Sequence, residues 1–343
     1  MYNLAYKLVE KNWVPDKVLR YFIRKLCKQR LRDETLKYHN IGEKLKWVEE
    51  LKNSPIAIET DKANEQHYEV PARFYQLTLG KNLKYSSSLF ADKSTSLDEA
   101  ESKMLELYCE RAEVKDGMDI LDMGCGWGSL SLHLAKKFPN ASITGISNSA
   151  SQREFILKKT TELGLNNVNI ITANINDFEI NSQFDRVMSV EMLEHVRNYQ
   201  ILFKRVNKWL RSDGKVFIHI FCHKEVAYPF EVHDDSDWMS KYFFTGGQMP
   251  ALNLFYHFQD HLKIVQKWKV SGLNYSLTSE RWLDNIDKNK EEILEIFKDV
   301  YGAKEAMKWF VYWRVFFMSC AELFGYKNGE EWLVGHYLME KKK

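Results

Sequence analysis

Glu191, Glu194 and His195 are the side chains best spaced for proton chemistry, and they close the run Ser189-Val190-Glu191-Met192-Leu193-Glu194-His195. If a helix starts near Glu191, positions i, i+3 and i+4 share a face, and two carboxylates and an imidazole converge. Such a group can take a proton from an amine, which at a pKa of roughly 10.4 has its lone pair masked at neutral pH. A neighbouring like charge raises a carboxylate's pKa toward that task. The alternative stays open: two acids favourably placed at a helix N-terminus, with His195 a satisfied surface group. A metal site fits less well, because E-x-x-E-H lacks the first histidine of the inverted zinc motif and no second ligand cluster is evident. His219, Cys222 and His223 end a strand-like run and either face the same cavity or are buried structural residues. Cys320 lies beside Phe316, Phe317 and Met318, where an inert buried thiol is the expected state.

A second constellation is suited to hold a ligand. Asp122-Met123-Gly124-Cys125-Gly126-Trp127-Gly128 follows the strand-like Asp119–Met123 and precedes the helix-like Ser129–Lys137. Glycines at alternate positions remove every Cβ that would keep a ligand off the backbone. In the dinucleotide fingerprint the third glycine comes three residues after the second, and the helix N-terminus grips a pyrophosphate. The shortened D-x-G-x-G-x-G spacing, with Asp122 before the first glycine, suits a nucleoside bearing an ammonium group. S-adenosylmethionine meets that description; a nicotinamide cofactor is disfavoured by the glycine spacing. A purely structural turn is the alternative. After the next strand, Ser147-Asn148 stands where nucleoside-binding sheets commonly place an acid, and the amides of Asn148 and Gln152 can serve a ribose diol. The same residues also read as a helix start capped by Ser147 or Ser149. Past the third strand, Asn174-Ile175 is positioned to offer a backbone amide and an apolar side chain to an adenine ring.

These residues need a parallel sheet to bring them to one edge. From Val114 onward strand and helix patterns alternate, with strands expected at Asp119–Met123, Ser142–Ile146, Asn169–Thr172, Arg186–Val190 and Lys215–Phe221. Late strands are expected at Lys263–Val270 and Trp332–Met339, and Gly164 is placed to end a helix starting near Ala150. Ligands sit at the carboxyl ends of such strands. The stretch from Glu225 to Leu262 is aromatic-rich and suits a roof over that edge. Tyr2 to about Leu51 is helical and includes a basic run, Lys17 to Arg32 without an acid. That run reads either as a foot on anionic lipid or as a solvated face on helices whose Val18, Phe22 and Leu26 pack inward. Pro55 to Asn64 reads as a linker.

With 343 residues, 45% of them hydrophobic, the chain can bury a large core, and a net charge of +2 gives no global pull toward nucleic acid. The five cysteines are scattered and form no C-x-x-C pair, which points to a reducing compartment, by default the cytoplasm. Neither a secretion signal nor an uncharged apolar run of roughly 20 residues is evident. A homodimer is left open.

Together the motifs resemble the cyclopropane-fatty-acid synthase superfamily of S-adenosylmethionine-dependent methyltransferases, from about Asn64 to Tyr337. The resemblance runs through His67-Tyr68-Glu69-Val70-Pro71, Lys84-Tyr85-Ser86, the glycine turn, Gly145-Ile146-Ser147-Asn148-Ser149 with Gln152, and the segment ending in His195. Within it the chain is most similar to the plant coclaurine N-methyltransferase branch, through Glu191, through His219-Ile220-Phe221-Cys222-His223-Lys224 and through Trp238 to Gly247. Lipid synthases of the superfamily typically have glycine at the position of Glu191, and phenylalanine at that of Leu193.

The resemblance implies an α/β fold: the Rossmann-like sheet of a class I methyltransferase, with a helical N-terminal extension and linker (1–63) and an aromatic, helical cap inserted in the catalytic domain (64–343) at about 225–262 and 276–325. It implies that Tyr85, Ser86, Asp122, Gly124, Gly126, Asn148, Gln152, Asn174 and Ile175 line the donor pocket, and that Glu191, Glu194 and His195 orient or deprotonate the acceptor. Tyr68, Glu69, His219, Phe221 and Tyr275 are the implied acceptor contacts, and Cys320 matches a cysteine once proposed as catalytic. Lipid synthases hold bicarbonate as base through groups matching Glu194, His219, Phe221 and Tyr275, plus a cysteine where this chain has Ser87. The expectation is therefore methyl transfer to the nitrogen of a small amine, with S-adenosylhomocysteine as product. Lipid methylation or cyclopropanation is the alternative, and a non-catalytic donor- or lipid-binding protein the second. The basic N-terminal helices are a candidate for weak membrane-surface contact.

Overall fold

A computed structural model describes residues 2–38, 40–58, 70–232 and 237–342; Tyr68 and Glu69 lie outside the described residues. Seven strands form one sheet: β1 (Asp119–Met123), β2 (Ser142–Ser147), β3 (Val168–Thr172), β4 (Phe184–Val190), β5 (Leu210–His223), β8 (Leu262–Val270) and β9 (Trp332–Lys341). Their order is β3-β2-β1-β4-β5-β9-β8, and β6 (Tyr228–Pro229) and β7 (Gln248–Met249) make a separate two-stranded ribbon. Pairs among β1 to β5 are parallel, whereas β9 runs antiparallel to both β5 and β8. The central strands are apolar on both faces, as a covered parallel sheet requires: Ile120, Leu121, Val187, Met188, Phe217 and Ile218 are fully buried. The strand order reverses between β1 and β4, which opens a crevice at their carboxyl ends.

Twelve α-helices accompany the strands among the described residues: α1 (Tyr2–Glu10), α2 (Asp16–Tyr38), α3 (Ile41–Asn53), α4 (Ala72–Thr78), α5 (Leu97–Arg111), α6 (Ser129–Lys137), α7 (Ala150–Leu163), α8 (Tyr199–Trp209), α9 (Trp238–Tyr242), α10 (Gly272–Lys288), α11 (Lys290–Tyr301) and α12 (Ala306–Phe324). α7 is capped by the Ser149 side chain and stopped by Gly164 in the left-handed region, as the sequence led us to expect. β5 is longer than expected. Its first residues, Arg211-Ser212-Asp213-Gly214, have turn composition, yet Leu210 pairs with Phe184 across a register shift and the strand continues to His223.

The N-terminal helix α2 corrects the expected inward face. Val18, Phe22 and Leu26 are 42%, 56% and 51% exposed, while Leu19, Ile23, Cys27 and Leu31 face the core. Both stripes have helical spacing; distant acids decide between them. Arg20 pairs with Glu280 and Glu322, Arg24 with Glu322, and Arg30 with Glu34 and Asp237. Part of the basic run is thus neutralised within the protein. In the middle of the apolar α12 stands Arg314, whose guanidinium reaches both oxygens of Asp287 and of Asp16. Truncating it as Arg314→Ala is expected to cost about 2 kcal/mol, because the charged hydrogen bonds go but the half-exposed carboxylates can retreat to water. A chemical denaturation midpoint unchanged from the parent would contradict this. No helix of the described residues is long and apolar enough to cross a membrane.

Candidate active site

The crevice at the carboxyl ends of β1 to β4 is a cavity walled by Tyr85, Ser86, Asp122, Gly124, Gly126, Asn148, Gln152, Asn174, Ile175, Glu191 and His195. Gly124, Gly126 and Gly128 take φ values of 86°, 53° and 85°, a region costly for any side chain. A Cβ on Gly124 would sit 2.7 Å from the Met192 side chain, whereas one on Gly126 meets no protein atom within 4 Å. It would project into open space beside the cavity. Asp122 accepts a hydrogen bond from Ser131 Oγ at 2.6 Å, and burial pushes its carboxyl up to about 6. At the turn after β2 Ser149 caps α7, while Ser147 Oγ donates to Gln152 Oε1 at 2.6 Å and leaves Gln152 Nε2 buried without a protein partner. A cradle free of Cβ atoms and an unsatisfied amide on the wall fit a nucleoside donor with ribose hydroxyls.

The expected helix at Glu191 is absent. Val190 ends β4, Glu191 itself takes φ 48°, and Leu193–His195 forms a single 3-10 turn. A bulky residue in the left-handed region is strained and needs its surroundings to hold it. Three donors do so: the Ser87 N–H reaches Glu191 Oε1 at 3.0 Å, His219 Nε2 lies 2.9 Å from the same oxygen, and the Tyr275 hydroxyl donates to Oε2 at 2.6 Å. Glycine adopts such a φ freely; here the strain carries a carboxylate to the cavity wall. Burial pushes that carboxyl up to about 7, against the lowering effect of Lys84, the Tyr275 and Ser87 hydrogen bonds, and His195.

Glu194 does not line the cavity. Its side chain is fully buried behind the wall, with Oε1 accepting the Phe221 N–H at 2.7 Å and Oε2 without a partner. Burial, and then the Glu191 charge, hold its carboxyl well above the usual range. His195 lies on the wall with its ring stacked on Phe244, centroids 5.2 Å apart and planes 9° apart. Its Nδ1 is buried with no partner, and burial lowers its pKa to about 4, keeping the ring neutral.

His219, Phe221 and Tyr275 stand one layer back. His219 and Tyr275 touch the cavity chemistry through Glu191, and Phe221 through its backbone N–H on Glu194. Tyr275 is stacked on Phe324 at 4.2 Å, which fixes its hydroxyl. Cys320 is half-buried on α12 and its thiol is pushed up by burial, so it holds its proton. The sequence reading assigned no role to Lys84, a fully buried amine whose Nζ donates to Ser86 Oγ at 2.6 Å and to the Ser87 carbonyl at 2.5 Å. Burial lowers it to about 7, against the pull of Glu191 and Glu101. A lone lysine in an aperiodic loop gives no sequence signal of burial.

The sheet order, the glycine cradle and the carboxylate facing it define a class I S-adenosylmethionine-dependent methyltransferase. A family model described as mycolic acid cyclopropane synthetase matches residues 57–330, and the chain belongs to that family. (S)-Coclaurine N-methyltransferase of Papaver somniferum is 40% identical over 97% of this chain and 97% of its own. Pavine N-methyltransferase of Thalictrum flavum subsp. glaucum is 39% identical over 98% and 96% of the two chains. The crystal structure of a coclaurine N-methyltransferase bound to N-methylheliamine and SAH matches with a TM-score of 0.93 at 37% identity, covering 99% of both chains.

Proposed function

We propose that this protein moves the methyl group of S-adenosylmethionine to the nitrogen of a small, mostly apolar amine. The observation that carries the reading is the Glu191 carboxylate on the cavity wall. Two carboxylate oxygens offer about four acceptor sites. Three are used by Ser87, His219 and Tyr275, which leaves one for an acceptor N–H. The bound sulfonium supplies an electrophilic methyl for in-line displacement. Glu191 takes the proton that masks or leaves the amine, and the neutral His195 ring shares the cavity wall with it. Full-length similarity to coclaurine and pavine N-methyltransferases supports the same acceptor class.

Cyclopropanation of lipid is disfavoured by the same carboxylate. The resemblance implies that the groups matching His219 and Tyr275 hold bicarbonate in lipid synthases; here both are spent on Glu191, and a second anion beside it would be repelled. Five unbridged cysteines fit a reducing cytoplasm. The exposed Tyr21, Phe22 and Leu26 beside Lys25 are the part of the surface we assign to contact with anionic lipid. Co-sedimentation with phosphatidylserine vesicles that leaves the protein in the supernatant would remove that assignment.

Incubating the purified protein with methyl-labelled donor, a panel of amines including coclaurine and heliamine, and bacterial and plant lipid extracts tests the main reading. Label is expected on an amine nitrogen. Label in lipid alone would overturn the acceptor class, and donor binding with no transfer to any member would leave only a binding protein.

A further inference from the structure

A chain of hydrogen bonds runs from Glu191 through the sheet to the far end of α5. His219 on β5 and His336 on β9 are register partners, both fully buried, with ring centroids 4.8 Å apart. Glu191 Oε1 lies 2.9 Å from His219 Nε2, His219 Nδ1 lies 2.9 Å from His336 Nε2, and His336 Nδ1 lies 2.7 Å from Arg111 Nη1. Arg111 also spreads over the Trp268 ring at 4.8 Å.

The last member decides the direction of the whole chain. A guanidinium has only donors and keeps its charge in proteins, so His336 Nδ1 must accept. In a neutral imidazole the proton then sits on Nε2, which donates to His219 Nδ1. His219 in turn carries its proton on Nε2 and donates it to Glu191. The Tyr108 hydroxyl, 2.8 Å from His219 Nδ1, fits this order as a second donor that shares the single lone pair of that nitrogen with His336. The opposite tautomer at His219 would set N–H against N–H at His336 and a bare lone pair against the carboxylate. Burial holds both imidazoles well below their ordinary pKa, in the neutral form.

We infer that Arg111 is a positioning residue: it fixes the tautomers of His336 and His219 so that an N–H faces Glu191 and holds its carboxylate toward the acceptor. The arginine also closes its end of the chain to a proton from Glu191, because a charged guanidinium has no lone pair to accept one. The inference rests on Glu191 acting as proposed, and part of its test needs no substrate.

Long-range 1H–15N spectra of protein labelled at histidine, assigned with His336→Gln, report tautomers directly. Both His219 and His336 are expected as neutral Nε2–H forms, and Arg111→Met is expected to turn His336 into a mixture. With heliamine as acceptor, Arg111→Met is expected to lower kcat about tenfold at nearly constant KM, and Arg111→Lys, which keeps a donor, to recover most of it. An Nδ1–H tautomer at either histidine in the parent protein overturns the inference whether or not the variants fold. So does an Arg111→Met protein with an unchanged His336 spectrum or unchanged kcat. If heliamine is not methylated at all, the amine assignment is lost for that probe and the tautomer result still decides the role of Arg111.

Discussion

Replacing Glu191 with glutamine is expected to lower kcat/KM for amine methylation by ~10²–10⁴-fold while donor affinity changes little. The amide keeps the shape of the side chain, but it cannot take a proton. Its NH2 also cannot accept from Ser87, His219 or Tyr275, so at least one of their donors is left unpaired. In the parent enzyme kcat/KM is expected to rise as pH increases through about 7, because only deprotonated Glu191 is a base. The groups facing that carboxyl set the window: Lys84, Tyr108, Glu194, His195, His219, Tyr275 and Cys320. The variant is expected to lose this limb. The same shift has a sign for stability. From the ordinary 4.5 to about 7 the folded protein binds more protons at Glu191 than the unfolded chain does. Its contribution is full below 4.5 and is lost as pH rises through about 7, and Glu191→Gln removes that slope. Activity of the variant within a factor of two of the parent would show that the proton goes elsewhere.

Gly126→Ala is expected to weaken donor binding about 10–100-fold in a protein that still folds. The new methyl meets no protein atom, so the folding cost is the left-handed backbone at φ 53°, about 1–2 kcal/mol. The affinity loss comes from occupying donor space. Gly124→Ala differs, since its Cβ runs into Met192 at 2.7 Å, next to Glu191, and both folding and binding are expected to suffer. Calorimetric titration with S-adenosylhomocysteine beside thermal unfolding separates the two. Equal donor affinity in Gly126→Ala and the parent would mean that the donor does not lie against this turn.

The local parts of this architecture were legible in the sequence. β1 and α6 fall on their expected residues, because a short apolar run, a glycine turn and a helix-period segment follow one another without ambiguity. α7 was equally plain, with a serine cap and a glycine stop. What the sequence concealed depends on partners far along the chain. Glu191 was expected on a helix; it sits in a strained turn because Ser87 and Tyr275, 104 and 84 residues away, hold its carboxylate. Two faces of α2 have the same periodicity, and distant acids, Glu280, Glu322 and Asp237, choose between them. Glu194 shares a motif with His195, yet the turn directs it behind the wall to the Phe221 amide. The path from Arg111 to His219 joins residues on three elements and has no sequence signature at all.

A crystal structure of the protein with S-adenosylhomocysteine and the N-methylated amine tests the central claim most directly. The amine nitrogen is predicted within hydrogen-bonding reach of the Glu191 carboxylate, about 2.6–3.2 Å, with the Ser87, His219 and Tyr275 contacts intact. A nitrogen well beyond that reach, or a Glu191 side chain released from those donors and turned out of the cavity, would contradict it.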